Sequence, residues 1–342
     1  MSDTTATLPE ARVEIPTTTR ADWQTDQEVR WCPGCGDYSI LAAVQLAMPD
    51  MGVRREDTVV VSGIGCAARF PYYMDTYGVH SIHGRAPALA TGLALARPDL
   101  SVWVVGGDGD LLSIGGNHLL HALRRNVNLT ILLFNNRIYG LTKGQYSPTS
   151  EVGKSTKSTP FGSEDAPLHP LAVALGAGAT FVARTHDMDR TGMQDIFKRA
   201  HAHQGAAFVE VLQNCNVFND GAFADITARS EREEMIIPLT HGQPVRFGAD
   251  GHAGVQVDLD GARVVEVADA GEEALYVHDE RRESPTAALA LALMAPEPHE
   301  PTPMGVFRDV SRPVHHGTSV DGPGTRDDLA AMLGSGATWT VE

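Results

Sequence analysis

The sequence predicts an α/β fold with a doubly wound, mostly parallel sheet. Two apolar runs rich in β-branched residues, at 102–106 and 129–134, lack the polar alternation of a strand with one face in water, so both faces of each strand are expected to be buried. The segment between the runs has helical spacing, as a parallel βαβ unit requires. Its expected buried face consists of Ile114, Leu119, Leu120 and Leu123.

The elements on either side of this unit continue the α/β alternation. Before it we expect a helix from Asp37, a strand at 58–61 and an Ala- and Leu-rich helix that ends near Arg97. After it we expect a long polar loop, which is a candidate active-site lid, and then alternating helices and strands. These elements are the loop at 147–165, helices at 171–175 and 189–202, and strands at 180–182 and 208–212, the last of them the final parallel strand.

The C-terminal third departs from this alternation. A β-hairpin is predicted at 244–268 and one more helix at 285–294. From Ala295 the chain is rich in Pro, Gly and charge, which predicts an extended tail that could lie across a partner. The expected organisation is an N-terminal arm at 1–27, an α/β domain at 28–230 and a C-terminal extension at 231–342.

The composition argues against several classes of function. A net charge of −16 without a stripe of Lys and Arg is unsuited to a nucleic-acid backbone, so no nucleic-acid binding is expected. No apolar run approaches the roughly 20 residues that span a bilayer. Residues 1–27 are polar and Thr-rich, without the apolar core of a signal peptide. We therefore expect a cytoplasmic protein that does not associate with a membrane.

Oxygen donors follow both strands of the central βαβ unit. Asp108 lies between two glycines after the first strand, and Asn136 comes just after the second. Mg²⁺ prefers oxygen ligands and fills its remaining positions with phosphate oxygens and water. A Gly-Asp-Gly tripeptide by itself is more often a tight turn, and Asn-Asn a turn cap. The two motifs together, each after a strand, favour a site that holds a diphosphate through Mg²⁺.

This pair of motifs resembles the GDG…NN signature of thiamine diphosphate enzymes, in which Mg²⁺ bridges the cofactor's diphosphate to the protein. The resemblance implies that Asp108 and Asn136 are side-chain ligands of Mg²⁺ and that Ile138 contributes its carbonyl oxygen. It also implies a set of contacts with the diphosphate. These contacts come from Gly109, Asp110, Gly140 and Leu141.

A longer match narrows the family. The segments GDGD, IGGNHLLHALRRN, FNN, IYGLTKGQ and SPTS are similar to the beta subunit of the 2-oxoacid:ferredoxin oxidoreductases, particularly those that act on 2-oxoglutarate. The similarity covers roughly residues 29–221 and implies the diphosphate-domain fold of thiamine diphosphate enzymes. Beyond that range it is weaker and rests on the segment at 278–294.

The chain has four cysteines, at positions 32, 35, 66 and 215, and in a reducing compartment disulfides are not expected between them. Cys32 and Cys35 share a Pro-Gly turn, whereas Cys66 and Cys215 each follow a predicted strand. Their spacing leaves open a redox dithiol, a zinc site or ordinary buried thiols. The resemblance of WCPGCGDYSIL, GIGC and the Asn-Cys pair to the family implies that all four thiolates hold one 4Fe–4S cluster.

The resemblance assigns further residues to the cofactor site. His83, which would otherwise be interpreted as a core histidine, is implied to contact the cofactor and act in catalysis. Lys143 is a candidate partner for the distal carboxylate of the substrate, and a solvated surface lysine is the alternative. The other implied cofactor contacts are Ile64, Gly65, Cys66 and Ala67.

The family's chemistry implies CoA-dependent oxidative decarboxylation of 2-oxoglutarate to succinyl-CoA and CO₂, with thiamine diphosphate as the electron sink and the cluster passing electrons to ferredoxin. The pyrimidine-binding, CoA and substrate-gripping residues are expected on an alpha subunit, which predicts an α₂β₂ assembly that is inactive as the isolated chain. Pyruvate or other 2-oxoacids remain alternative substrates. Two other classes stay open, a non-oxidative thiamine diphosphate-dependent decarboxylase or carboligase, and a zinc-stabilised subunit without catalytic activity that binds a nucleotide or phosphate.

Overall fold

The computed structural model describes residues 17–294, 300–316 and 326–335. Its strands are β1 (Thr58–Ser62), β2 (Tyr77–His80), β3 (Ser101–Gly107), β4 (Leu129–Asn135), β5 (Phe181–His186), β6 (Ala206–Leu212), β7 (Ile236–Leu239), β8 (Arg246–Phe247), β9 (Ala253–Asp258), β10 (Gly261–Glu266) and β11 (Thr302–Asp309). Its helices are α1 (Asp37–Ala47), α2 (Ala86–Ala96), α3 (Gly116–Arg124), α4 (Pro170–Gly176), α5 (Arg190–Ala202), α6 (Ala224–Thr227), α7 (Arg232–Met235), α8 (Val267–Ala270), α9 (Thr286–Leu293) and α10 (Arg326–Ser335). None of the described helices is long and apolar enough to cross a membrane.

The centre of the fold is an eight-stranded sheet with the order β2-β1-β3-β4-β6-β5-β11-β7. The first six strands in this order are parallel, and β11 pairs with β5 in the antiparallel sense. One apolar core lies on each face of the sheet, so β4 and β6 are buried along their whole length. This burial on both faces explains the unbroken apolar runs, and the prediction of a doubly wound, mostly parallel sheet is confirmed.

The helix between β3 and β4 is less regular than its sequence predicts. Leu119 and Leu123 are buried, but Ile114 is 51% exposed and Leu120 is 40% exposed, so half of the predicted buried face is wrong. A π-helical segment, Gly109–Ile114, follows β3, and the α-helix α3 begins only after Gly115. Because the two segments do not share one continuous helical turn, the side chain of Ile114 does not line up with those of α3.

The predicted extended tail is wrong for Thr302–Asp309. This segment is β11, which is mostly buried and lies between β5 and β7 in the main sheet. Its Pro and Gly residues hide the strand pattern, and pairing with two strands that are distant in sequence holds it in the sheet. The tail prediction is also wrong for Arg326–Ser335, which forms α10. The expected tail residues at 295–299, 317–325 and 336–342 lie outside the described residues. The domain boundary near residue 230 stays a prediction. Strands β7 and β11, which follow that boundary in sequence, belong to the eight-stranded sheet.

Three further segments refine the predicted elements. The predicted hairpin forms a three-stranded antiparallel sheet of β8, β9 and β10. Strand β2 was not predicted, because its four residues are all exposed at the sheet edge and show no apolar alternation. In the expected N-terminal arm, residues 1–16 lie outside the described part, while Trp23 is fully buried and its Nε1 donates to Thr18 Oγ1 at 3.0 Å. The described end of the arm is therefore packed against the domain.

Candidate active site

The predicted site residues converge at the carboxyl edge of the parallel sheet. Turns that follow β1, β3, β4 and β6 meet there, as expected for neighbouring parallel strands. They form two adjoining cavities, which we call the Asp108 cavity and the cysteine cavity. The two cavities share four lining residues, Cys66, Asn136, Gly140 and Leu141.

The Asp108 cavity has a volume of about 460 Å³. This size falls in the range of sites for small molecules and cofactors. The residues predicted to contact Mg²⁺ or the cofactor all line it. They are Ile64, Gly65, Cys66, Ala67, His83, Asp108, Gly109, Asp110, Asn136, Ile138, Gly140 and Leu141.

Asp108 lies at the base of this cavity and is almost fully buried. Its Oδ2 accepts hydrogen bonds from the hydroxyls of Ser147 and Thr149, the latter at 2.6 Å. Burial raises the pKa of the carboxyl to about 6, and the two hydroxyl bonds oppose that rise. A cation at this position would replace the missing solvation of the carboxylate and favour its ionised form.

Asn136 connects the two cavities through hydrogen bonds. Its Oδ1 accepts from the backbone N–H of Ile138 at 3.1 Å, which closes the turn after β4. Its Nδ2 donates to Gln213 Oε1 at 2.8 Å, and Gln213 Nε2 donates to Cys35 Sγ at 3.3 Å. The turn that carries the proposed ligands Asn136 and Ile138 is thus hydrogen-bonded, through Gln213, to the thiol of Cys35.

Asp110 lines the Asp108 cavity, and one of its carboxylate oxygens bonds to two neighbouring turns. Its Oδ1 accepts from the backbone N–H groups of Ile64 at 3.0 Å and Gly84 at 2.7 Å. His83 Nδ1 lies 2.7 Å from the same oxygen, so the ring donates from Nδ1 and its Nε2 is left as the acceptor. The Asp110 side chain therefore joins two turns, and its contact with a diphosphate stays a prediction.

Gly109 is required by close packing. A Cβ atom at this position would lie 2.1 Å from the ring of Tyr139, whose hydroxyl donates to the Gly109 carbonyl at 3.1 Å. The tyrosine also lines the Asp108 cavity. The glycine thus lets the turn after β3 lie flat against the turn after β4.

All four cysteines line the second cavity, which has a volume of about 190 Å³. Cys66 and Cys215 come closest to the Asp108 cavity, because their sulfur atoms lie 3.6 and 3.5 Å from the position that a Cβ of Gly140 would occupy. Cys215 is buried and Cys32 is exposed. Within the described residues, no three His, Cys, Asp or Glu side chains form the kind of group that holds a single metal ion.

Two thiols of the cysteine cavity, those of Cys35 and Cys66, are partly buried and lie near the Asp37 carboxyl. Burial, with the nearby Asp37 carboxyl, raises the pKa of Cys66 to about 12 and that of Cys35 well above its usual range. Asp37 is itself buried with both carboxyl oxygens unpaired, and burial raises its pKa to about 7. Burial therefore favours the protonated form of Cys35 and Cys66, and metal binding would have to displace those two protons.

Lys143, the candidate partner for the substrate's distal carboxylate, does not line the Asp108 cavity. It is exposed and lines the cysteine cavity, not the Asp108 cavity. Its backbone is left-handed, with φ of 76°, in the turn that separates the two cavities. The arrangement gives no direct support to an ion pair between Lys143 and a substrate in the Asp108 cavity.

Comparison with known proteins agrees with this arrangement. Residues 63–211 match the family model of the C-terminal TPP-binding domain of thiamine pyrophosphate enzymes. The chain is 53% identical to 2-oxoglutarate oxidoreductase subunit KorB of Mycobacterium tuberculosis, over 96% of this chain and 91% of that protein. It is a member of the 2-oxoacid:ferredoxin oxidoreductase beta-subunit family.

A second relative matches over a shorter range, and a solved structure matches over nearly the whole chain. The beta subunit of 2-oxoacid:ferredoxin oxidoreductase 1 from Aeropyrum pernix is 47% identical, over 58% of this chain and 63% of that subunit. A solved structure of 2-oxoglutarate:ferredoxin oxidoreductase from Magnetococcus marinus, with 2-oxoglutarate, coenzyme A and succinyl-CoA bound, superposes with a TM-score of 0.71. It is 33% identical and 96% of each chain is covered.

Several residues of this beta-subunit site were not predicted from the sequence. No site role was predicted for Tyr139, Gln213 or Asp37, although Tyr139 lies in the IYGLTKGQ segment and Asp37 in WCPGCGDYSIL. Packing brings all three to the cavities. Ser147 and Thr149 belong to the SPTS segment, which supported the family resemblance but was interpreted only as part of a loop. Their small hydroxyl side chains, next to a loop expected to be polar, were the one available signal.

Proposed function

We propose that this chain is the beta subunit of a 2-oxoglutarate:ferredoxin oxidoreductase. The reaction is the oxidative decarboxylation of 2-oxoglutarate with coenzyme A, which yields succinyl-CoA and CO₂ while two electrons leave one at a time for ferredoxin. The observation that carries the proposal is the contact between the two cavities. A cavity with a carboxylate, an amide and glycine turns adjoins one lined by four thiols, and Cys66 lies on the wall between them.

The Asp108 cavity fits thiamine diphosphate held through Mg²⁺. Asp108, Asn136 and the Ile138 carbonyl are the residues that would hold the cation, and all three are oxygen donors of the kind Mg²⁺ prefers. Gly65 and Gly107 have no side chain, and no atom lies closer than 3.9 Å to the position that a Cβ of either would occupy. A diphosphate can therefore come close to the backbone there. When bound, thiamine diphosphate supplies the electron sink that decarboxylation needs.

The chain's own residues prepare the cavity for this chemistry. Asp110 holds the turns that carry Ile64 and Gly84 against each other, which fixes one wall. It also orients His83, so that Nε2 is the ring nitrogen able to accept a proton. Tyr139 packs against Gly109 and its hydroxyl donates to the Gly109 carbonyl, which holds the turns after β3 and β4 together.

The cysteine cavity fits one 4Fe–4S cluster. Cys32, Cys35, Cys66 and Cys215 would be its ligands, and four thiolates are the usual set for such a cluster. The Gln213 amide and the Trp31 indole, which donates to the Cys66 carbonyl at 2.7 Å, hold the ligand loops in place. When bound, the cluster accepts single electrons and passes them on.

The assembly is part of the proposal. The family's beta subunits are named as parts of larger enzymes, so we infer an alpha subunit that completes the active site, in an α₂β₂ complex located in the cytoplasm. Ferredoxin is the proposed electron acceptor. We also propose that residues 28–230 with β7 and β11 form the catalytic domain of this chain.

The test is an assay of the co-expressed, anaerobically purified complex with ferredoxin or a viologen dye. Turnover should depend on CoA and be fastest with 2-oxoglutarate among 2-oxoglutarate, pyruvate and branched-chain 2-oxoacids. Faster turnover with pyruvate would support the proposed oxidative decarboxylation but contradict 2-oxoglutarate as the substrate. Release of CO₂ without reduction of the dye would contradict the proposal and favour a non-oxidative decarboxylase, as would purified protein that lacks iron and inorganic sulfide.

A further inference from the structure

We propose that residues 147–150 are a positioning element for the metal site, with Thr149 as its central residue. This inference rests on the proposed function, because it concerns the Mg²⁺ site in the Asp108 cavity. The segment follows the turn between the two cavities and precedes a long surface loop. Three of its four side chains are hydroxyls, and Ser147, Thr149 and Ser150 are all buried.

The first contact is with the proposed carboxylate ligand. Ser147 Oγ and Thr149 Oγ1 both donate to Oδ2 of Asp108, Thr149 at 2.6 Å. Because both hydroxyls contact Oδ2, we assign Oδ1 to the cation. The two hydroxyls therefore select one rotamer of Asp108 and one of its oxygens for coordination.

The second contact is with the residue before the proposed amide ligand. Thr149 Oγ1 also lies 2.8 Å from Oδ1 of Asn135, so its single proton is shared between Asp108 and Asn135. Asn135 Nδ2 donates to Glu210 Oε1 at 2.7 Å, and Glu210 Oε2 accepts from Arg184 Nε at 2.7 Å. Thr149 is thereby linked to an ion pair that is fully buried within the sheet.

The third contact is with the residue before the proposed carbonyl ligand. Ser150 Oγ donates to the carbonyl of Arg137 at 2.6 Å, and Arg137 has a left-handed backbone with φ of 55°. A non-glycine residue in that conformation persists only when its surroundings hold it there. Ser150 Oγ also accepts from the Ser147 N–H at 2.8 Å, which closes the segment on itself.

One four-residue segment therefore contacts a residue at, or directly before, each of the three proposed ligands. Mg²⁺ demands near-octahedral geometry, so small displacements of its ligands weaken its binding. Partners that orient metal ligands typically contribute 10- to 100-fold to metal affinity or activity. The segment is remote in sequence from Asp108, and only the fold brings the two together.

The experiment uses four complexes, each formed by the partner subunit and one form of this chain. The four forms are wild type, T149V, T149S and S158A. Each is stripped of cofactor and titrated with Mn²⁺ in the presence of thiamine diphosphate, and free Mn²⁺ is followed by electron paramagnetic resonance. T149V keeps the side-chain shape and removes the hydroxyl, whereas Ser158 lies exposed in the same loop and serves as the matched control. T149V should bind Mn²⁺ about 10- to 100-fold more weakly. T149S and S158A should bind nearly as tightly as wild type.

A second readout separates positioning from a structural role. The kcat of T149V should recover at saturating Mg²⁺, while its requirement for Mg²⁺ rises by the same factor as the Mn²⁺ dissociation constant. A lowered thermal midpoint with unchanged Mn²⁺ affinity would overturn the inference. If T149V does not assemble, S150A takes its place. It removes the bond to Arg137 and the bond from the Ser147 N–H, leaves both hydroxyl bonds to Asp108, and should also weaken Mn²⁺ binding.

The two proposals fail in different ways. If wild type binds Mn²⁺ and thiamine diphosphate and T149V binds them equally well, the positioning role is wrong and the proposed function stands. If wild type retains neither ligand in the complex, the proposed function fails and the positioning role fails with it.

Discussion

Replacing Glu210 by Gln should strongly destabilise this protein. Glu210 and Arg184 form an ion pair in the centre of the sheet with both side chains 0% exposed. Both carboxylate oxygens are used, one by Asn135 and the other by Arg184. A glutamine has one acceptor oxygen, so it can satisfy only one of these partners and leaves the buried guanidinium without a counter-charge.

The magnitude follows from the burial. Breaking a fully buried pair by removing one partner costs about 3–5 kcal/mol of unfolding free energy, which is a large part of a typical domain's stability. A change of that size corresponds to a fall in thermal midpoint of roughly 4–7 °C for a chain of this length. The double variant R184M/E210M removes both charges and should recover most of the loss.

The assay is the thermal midpoint of the purified complex, followed by tryptophan fluorescence. The matched control is D99N, which breaks the Arg97–Asp99 pair, with both side chains more than half exposed, and should leave the midpoint unchanged. A midpoint for E210Q within 2 °C of wild type would refute the reasoning. So would a double variant that is less stable than E210Q.

Three other changes have defined outcomes. G109A should abolish retention of thiamine diphosphate after desalting, because its Cβ would lie 2.1 Å from the Tyr139 ring, whereas G92A, with no atom within 4 Å, should retain it. C215S should lose the visible absorbance of the cluster, and an unchanged spectrum would contradict its role as a ligand. Burial lowers the pKa of His186 to about 4, so its contribution to stability is complete above its unfolded pKa of 6.5 and is lost as the pH falls from 6.5 to 4. In H186Q the midpoint should therefore fall less steeply over that window, and an equal slope would contradict this assignment.

Much of the site could be predicted because its chemistry lies in local motifs. Asp108 and Asn136 each follow an apolar strand, and neighbouring parallel strands end at the same edge, so their proximity follows from the order of elements. The same reasoning applies to Cys66 and Cys215. The roles of these residues as ligands stay proposals, but their meeting around two adjoining cavities is seen in the structure.

Other features depended on contacts between residues far apart in the chain. No local pattern indicates that Thr149 donates to Asp108 or that Glu210 pairs with Arg184. Nor does any local pattern indicate that the Asp110 carboxylate accepts hydrogen bonds from the backbone of Ile64 and Gly84. Lys143 is a comparable case, since its turn borders both cavities and Lys143 itself lines the cavity of the thiols. Side-chain direction at a turn is decided by what packs against it.

The sequence by itself determined the central βαβ unit, the parallel sheet and the residues that meet at its carboxyl edge. Each of these rests on hydrophobic periodicity and strand order, which are properties of short segments. Only the tertiary structure decided that Thr302–Asp309 is a buried strand, that Ile114 is exposed, and that one hydroxyl segment supports the proposed metal ligands. Those outcomes depend on pairing across long sequence separations, where the free energy comes from the partner strand or loop and not from the segment's own residues.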